Sequence, residues 1–226
     1  MKKAVLLAVA ITATPVVTLA QSRWSVSPAL GFYKAKLDAV SEDLSRLQAL
    51  GVTVEKPNGS FHFGGRLHYE KSPRWSWLAE ASLWKDKSAG NLTGVNGTLS
   101  FEDQIRLVPI RVGSQYYFGQ PKAKNRVYAG ATGGIVLVNV KSEFNLLAAG
   151  GAPVSQTSSL SGTDFMSKPF VGLEIINTRN MSFWGEVGYV LGKYTLEATD
   201  LATGAKTERD VSISGLHVTG GVKIGL

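Results

Sequence analysis

The chain has 226 residues, of which 44% are apolar, 18% charged and 9% aromatic, with 25 Gly, 8 Pro and no Cys. It is long enough for one medium domain, too apolar for disorder, and without cysteine it can build neither a disulfide framework nor a thiolate zinc site. Its formal charge is +7, but the basic residues stand singly among polar and aromatic neighbours, a pattern that argues against a nucleic-acid interface.

The amino terminus reads as an export signal. Met1, Lys2 and Lys3 make a positive n-region, residues 4–13 an apolar h-region, and Thr18-Leu19-Ala20 a small-residue cleavage site, so residues 1–20 are expected to be removed and 21–226 to form one domain. Thr12, Thr14, Pro15 and Thr18 leave the stretch short of the roughly 20 apolar residues of a spanning helix. Beyond it the longest uninterrupted aliphatic run is 135–138, so nothing there crosses a bilayer as a helix.

Period two is what organises the rest. Trp24, Val26, Pro28, Leu30 and Phe32 alternate with Ser25, Ser27, Ala29 and Gly31, which makes residues 24–32 a strand with one apolar face. Leu37, Val40, Leu44, Leu47 and Leu50 then recur at three- and four-residue spacing, with Asp38, Glu42 and Asp43 early, Arg46 late and Gly51 as a stop. That spacing predicts an amphipathic helix over about 36–51, its leucine stripe packed on the ends of the strands or on other loops, or serving as a lid or partner-binding element. A second strand sets Phe61, Phe63, Gly65, Leu67 and Tyr69 against His62, Gly64, Arg66 and His68; a third sets Trp77, Ala79, Ala81 and Leu83 against Leu78, Glu80, Ser82 and Trp84. A fourth sets Val108, Ile110, Val112 and Tyr116 against Pro109, Arg111, Gly113 and Gln115, whereas the fifth, 126–141, is apolar on both faces and fixes no orientation. In the sixth Val171, Leu173 and Ile175 oppose Gly172 and Glu174, in the seventh Phe183, Val187, Tyr189 and Leu191 oppose Glu186, Gly188 and Gly192, and in the last Leu216, Val218, Val222, Ile224 and Leu226 oppose His217, Thr219 and Lys223. Eight strands of about ten residues match the length a tilted strand needs to cross a bilayer.

Alternation alone does not say which face meets solvent, since a soluble lipocalin-type barrel has the same period. Connections decide part of it: 71–74, 119–125 and 177–180 are brief, while 34–59, 86–100, 142–162 and 199–210 are long, the rim asymmetry of outer-membrane barrels. The aromatics fall near strand ends, Trp24, Tyr69, Trp75, Trp77, Tyr116, Tyr117, Phe118, Tyr128, Phe183 and Trp184 by the short turns and Phe32, Tyr33, Phe61, Phe63, Trp84, Phe101, Phe144, Phe165 and Tyr194 by the long loops, which is expected of two interfacial belts. The polar faces carry Arg66, Arg111 and Lys223 with Glu80, Glu174 and Glu186 among small residues, the sparse, balanced charge expected of a narrow lumen crossed by ion pairs. Arg66 and Glu80 flank Pro73 at equal distance and so should face each other across the hairpin. The fold class is therefore all-β: an eight-stranded antiparallel up-and-down transmembrane barrel with one helix in its first extracellular loop.

The run from Val108 to Phe118 followed by Val127-Tyr128-Ala129-Gly130-Ala131 resembles the central hairpin of small outer-membrane barrels of the OmpA-like, OmpW-like and opacity-protein-like superfamily. The carboxyl end is similar too: Thr219, Gly221, Ile224 and Leu226 stand where that group carries the signal read by the barrel-insertion machinery, with Leu in place of the usual terminal Phe. The resemblance implies an outer-membrane location and contact with outer-membrane lipid and lipopolysaccharide, and supports no particular activity.

No catalytic, metal or cofactor constellation is found. His62 and His68 share a strand face six residues apart, too far to converge on one metal unaided. His217-Val218-Thr219 is distantly similar to the His and Ser of lipid A deacylase barrels, but those face lipid and His217 is expected in the lumen. Gly130 to Gly134 opens no helix and is not a phosphate loop. The expected function is a monomeric, non-enzymatic barrel with a side-chain-filled lumen, acting through its extracellular loops. The alternatives are a narrow channel for small solutes or ions, a lipid-modifying barrel enzyme and a soluble lipocalin-like binder; eight strands leave an interior that side chains can fill, which favours the first.

Overall fold

A computed structural model describes residues 23–49, 51–94, 97–120, 123–178, 180–199 and 206–226; the expected signal segment and Leu50 lie outside these. The elements run β1 (Trp24–Ala35), α1 (Asp38–Ala49), β2 (Thr53–Glu55), β3 (Ser60–Ser72), β4 (Trp75–Gly94), β5 (Gly97–Tyr117), β6 (Asn125–Ala148), β7 (Val154–Thr178), β8 (Met181–Thr199), β9 (Lys206–Ser212) and β10 (Gly215–Gly225). Each of β1, β3, β4, β5, β6, β7 and β8 pairs antiparallel with the next, and β10 pairs with both β8 and β1, so the sheet closes. β9 and β10 are one stave interrupted at Ile213 and Ser214, because Lys193↔Ser212 and Val190↔Gly215 keep the same register along β8. The barrel thus has the eight staves read from the sequence, although the ring does not run evenly round an axis.

Pleating sends successive side chains to opposite walls. Leu30, Phe61, Phe63, Val112, Val171 and Leu173 are exposed on the outside, while Ser27, Arg66, His68, Arg111, Glu174 and Glu186 are buried inside. An apolar band that encircles the chain is far larger than the patch a soluble monomer tolerates. It is the lipid-facing wall of a membrane barrel. The fifth predicted strand now has a direction: Arg126, Tyr128, Thr132, Val136 and Val138 point inward, and Val127, Ile135 and Leu137 outward.

Two expectations are corrected. β5, β6 and β7 are 21, 24 and 25 residues long rather than about ten, and the segments read as long loops at 86–100 and 142–162 are continuations of these hairpins. Backbone pairing carries on through Ser-, Thr- and Gly-rich sequence because the ladder does not need apolar alternation once the register is set. The aromatic residues near strand ends are also not all interfacial. Tyr33, Trp84, Tyr117, Tyr128, Trp184 and Tyr194 are buried inside the barrel; height along a strand does not choose the face, and the pleat sends Tyr116 and Tyr117 opposite ways.

The helix in the first connection ends in a Schellman closure: Gly51 takes φ 88°, its N–H bonds Gln48 O at 3.0 Å, and the Val52 N–H bonds Leu47 O at 3.1 Å. α1 packs against β9 and β2. Leu37 is fully buried in the exterior-end cluster with Val40 against it, Leu44 is buried, and Leu47 is half-buried.

Candidate functional site

The lumen is layered. At the end of the short turns, Arg126 Nη2 lies 2.9 Å from Glu174 Oε2, and Lys223 Nζ lies 2.6 Å from Glu70 Oε1 and 3.4 Å from Glu174 Oε1. Ser182 Oγ donates to Glu174, and the Arg126 guanidinium sits 4.1 Å over the Tyr117 ring. Next comes an apolar layer of Leu78, Tyr117, Tyr128 and Phe170. Gly172 makes room for one of these rings, since a Cβ there would lie 2.4 Å from Tyr128 Cζ.

The central layer holds three cations and two carboxylates. Arg66 donates a two-pronged pair to Glu186, Nη1 to Oε2 at 2.9 Å and Nη2 to Oε1 at 2.7 Å, and reaches Glu80 Oε2 at 2.8 Å. Arg111 Nε lies 2.8 Å from Glu80 Oε1. Lys168 Nζ lies 2.8 Å from Glu186 and 3.1 Å from Glu80, and Thr132 donates its hydroxyl to Glu80 at 2.9 Å. Arg66 also stacks 4.3 Å from the Trp184 ring. A planar guanidinium fits this geometry because it satisfies two carboxylates from one fork. The side chains of Arg66, Lys168 and Glu186 are 2%, 0% and 0% exposed, so each charge depends on its partners in place of water.

Above this layer the His62 and His217 rings stack at 4.3 Å, and Thr219 Oγ1 lies 3.0 Å from His62 Nε2 and 2.9 Å from His217 Nδ1. On the other side of the central layer, toward the short turns and level with Leu78, His68 Nε2 lies 3.2 Å from Ser27 Oγ. A cavity of about 20 Å³ between His62, Arg66, Glu80, Arg111 and His217 is room for one water molecule. The exterior end is closed by Tyr33, Leu37, Trp84, Val138, Met166, Tyr194 and their neighbours in one apolar cluster. Trp84 Nε1 donates to Tyr33 O at 3.0 Å, and the Tyr33 hydroxyl donates to Ile213 O.

The six charged residues predicted for the lumen therefore fall into two layers, Arg66, Glu80, Arg111 and Glu186 in one and Glu174 and Lys223 in the other. Arg66 and Glu80 are cross-strand partners in register. Sequence reasoning misses Lys168, Arg126 and Glu70. Lys168 shares the parity of Gly172 and Glu174 on β7, so extending that strand two pleats further back would find it. Arg126 sits where both faces are apolar and carries no signal. Of the carboxyl-terminal residues, Thr219 points into the lumen, while Ile224 and Leu226 are 43% and 63% exposed on the outside; Gly221 lies against Pro28 O, where a Cβ would come within 2.3 Å. Among the described residues no three His, Asp or Glu side chains converge on a metal position.

Beyond the membrane the ring splits. β7 pairs with β8 only from Met166↔Gly192 onward, whereas β6–β7 pairing continues to Leu146↔Val154. The upper part of β8 turns to β9 instead. The sheet formed by β4, β5, β6 and β7, with β2 alongside β4, thus projects outward, and among the described residues one edge of β7 has no partner strand over 154–165, a stretch with no charge until Asp164 and no Pro.

No protein-family model and no curated protein matches the sequence. Among solved structures, the outer membrane protein OprG from Pseudomonas aeruginosa aligns over 91% of this chain and 97% of its own at 15% identity, with a TM-score of 0.50. Neisserial surface protein A aligns over 92% and 100% at 12% identity and a TM-score of 0.45. The chain has the fold of the small outer-membrane β-barrels.

Proposed function

We propose that the protein is an outer-membrane barrel that conducts nothing and acts at the cell surface, through the sheet that rises above its sealed lumen. The observation that carries this reading is the lumen itself: two charged layers, one balanced two against two and the other holding three cations on two carboxylates, alternate with two apolar layers, and the cavity beside the central layer has room for about one water. A channel needs a continuous hydrated path, and eight strands filled in this way supply none. The uncharged, unpaired edge of β7 supports a surface role, because an open strand edge accepts an extended segment of another chain by main-chain hydrogen bonding. The amino-terminal segment 1–20 acts as the export signal, and Thr219, Gly221, Ile224 and Leu226 present the insertion signal, with Ile224 and Leu226 turned outward where the insertion machinery meets the last strand. The barrel works as a monomer in contact with lipopolysaccharide and needs no cofactor.

Cell fractionation tests this directly. The protein should partition with outer membranes, migrate differently on gels before and after heating, and in intact cells be cut by trypsin only in the exterior extension, at residues such as Lys87 and Lys141. Recovery as a soluble periplasmic protein would overturn it.

A further inference from the structure

The outer wall of the projecting sheet carries a row of cations of which, among the described residues, only Lys141 has an ionic partner. β4 and β5 place Lys85 directly opposite Arg106, and β6 puts Asn139 beside Arg106. One pleat outward Lys87 faces Gln104, which in turn faces Lys141. All of these side chains lie on the exposed wall. Lys141 is taken by Glu143, but among the described residues Lys85, Lys87 and Arg106 make no ion pair. Two like charges held opposite each other in an antiparallel ladder repel, so this register calls for an anion between them.

A second observation says what kind. A surface groove of about 600 Å³ begins at Arg106 and runs from β5 over β6 to β7, lined by Arg106, Asn139, Ser161 and Thr163 at its upper end and by Val108 and Leu137 at its lower end. The lower end continues into Ile110, Ile135 and Phe165, which are 45%, 45% and 63% exposed on the lipid-facing band. The local ladder also breaks here: Pro109 has no N–H to give β4, and the β4–β5 pairing skips Ser82 and Leu83. The groove is therefore apolar where it meets lipid tails and cationic one pleat further out, where headgroups lie.

We propose that this groove is a binding site for an outer-leaflet lipid whose phosphate headgroup is anionic, with no cation of its own to neutralise it. The headgroup phosphate sits in the groove on Arg106, over Asn139, where Ser161 and Thr163 donate to its remaining oxygens, Lys85 on the other side of Arg106 adds positive charge, and one acyl chain lies along Val108 and Leu137. Arg106 is suited to the contact because its fork meets two phosphate oxygens at once. The site rests on the outer-membrane reading of the barrel and adds to it a fixed, stoichiometric lipid in place of a general lipid shell.

The test uses the full mature protein refolded into detergent micelles. Insertion into vesicles and heat-modifiable migration are checked first, and failure there would sink the outer-membrane reading itself. Native mass spectrometry is then run with phosphatidylglycerol and with phosphatidylcholine of identical chains. One phosphatidylglycerol should stay bound, at least tenfold more than phosphatidylcholine, and the double variant Lys85→Ala with Arg106→Ala should lose this preference while folding normally. The variant Lys71→Ala with Arg74→Ala, at the opposite rim, should keep it. Equal retention of the two lipids, or unchanged retention in the Lys85/Arg106 variant, would overturn the site. Competition with inorganic phosphate separates a lipid site from a simple anion site: displacement by phosphate alone would overturn the lipid assignment, and persistence of the bound lipid supports it.

Discussion

Inside the membrane every stave is paired on both sides and every luminal charge has a partner; above it the same strands continue with one edge open and with cations left single. The difference lies in the solvent each half replaces. In the lumen a missing partner leaves a bare charge where no water can reach, so residues there are interlocked. Outside, water or lipid headgroups complete what the chain leaves unpaired, and sequence there is free to serve contacts with other molecules.

The largest effects should therefore come from the central luminal layer. Glu80→Ala strips Arg111 of its carboxylate partner and leaves Arg66 and Lys168 to share Glu186, and should cost about 3–5 kcal/mol of barrel stability, as the loss of one member of a buried pair does. Arg66→Ala leaves two cations with two carboxylates and should cost less than Glu80→Ala. Adding Arg66→Ala to Glu80→Ala should recover part of the loss. Denaturant unfolding in detergent measures all three and yields the coupling. Additive losses would mean that the layer is hydrated and its charges independent.

A glycine pair sharpens the same contrast at lower cost. A Cβ on Gly31 would meet Val218 O at 2.2 Å and His62 Nε2 at 2.4 Å, whereas one on Gly162 would have nothing within 4 Å. Gly31→Ala should destabilise by about 1–3 kcal/mol through overpacking, and Gly162→Ala should stay within about 0.5 kcal/mol of wild type. Equal effects on thermal unfolding would erase the distinction between the two halves.

The helix lies at the boundary. Leu44 is buried although its connection is exterior, so Leu44→Asp should release the first connection to trypsin at Lys56 and leave the gel migration of the folded barrel unchanged. Resistance at Lys56 would show that α1 is held by something other than its leucines. The smallest effect is expected at the exposed β8–β9 hairpin. Hydrogen bonds from Lys193 and Thr195 hold the Asp210 carboxyl below its ordinary range. A lowered carboxylate pKa contributes stability that is present above the unfolded value and is lost as pH falls through the folded one. Amide protection of β9 should therefore weaken in acid, and Asp210→Asn should remove that pH dependence. Pair and hairpin are both in water, so the change will be slight.

Much of this architecture is legible in the amino-acid sequence, for a physical reason. Strands with one apolar wall announce their faces, and Arg66 and Glu80 can be placed opposite each other because a short turn at Pro73 fixes the count on either side. For Tyr33, Tyr117, Tyr128 and Trp184 nearness to a strand end yields the right height but the wrong wall, since aromatic rings suit an interface and a luminal plug equally well, whereas Trp84 lies on the luminal wall that alternation with Glu80 and Ser82 gives it. Lys168 and Arg126 escape notice where strands are apolar on both faces or lightly patterned. The exterior sheet leaves no periodic trace because Ser, Thr and Gly continue a ladder without a hydrophobic period, and the same composition also describes a loop.

The central claim is a lumen sealed by paired charge and aromatic layers, and single-channel recording of the refolded wild-type protein in planar bilayers tests it most directly. Insertion is confirmed in the same bilayers by protease protection of the barrel. The account predicts inserted protein with no resolvable conductance steps, and Glu80→Ala as the variant in which steps first appear. Stable, discrete openings of the wild type would contradict it and make the barrel a narrow channel.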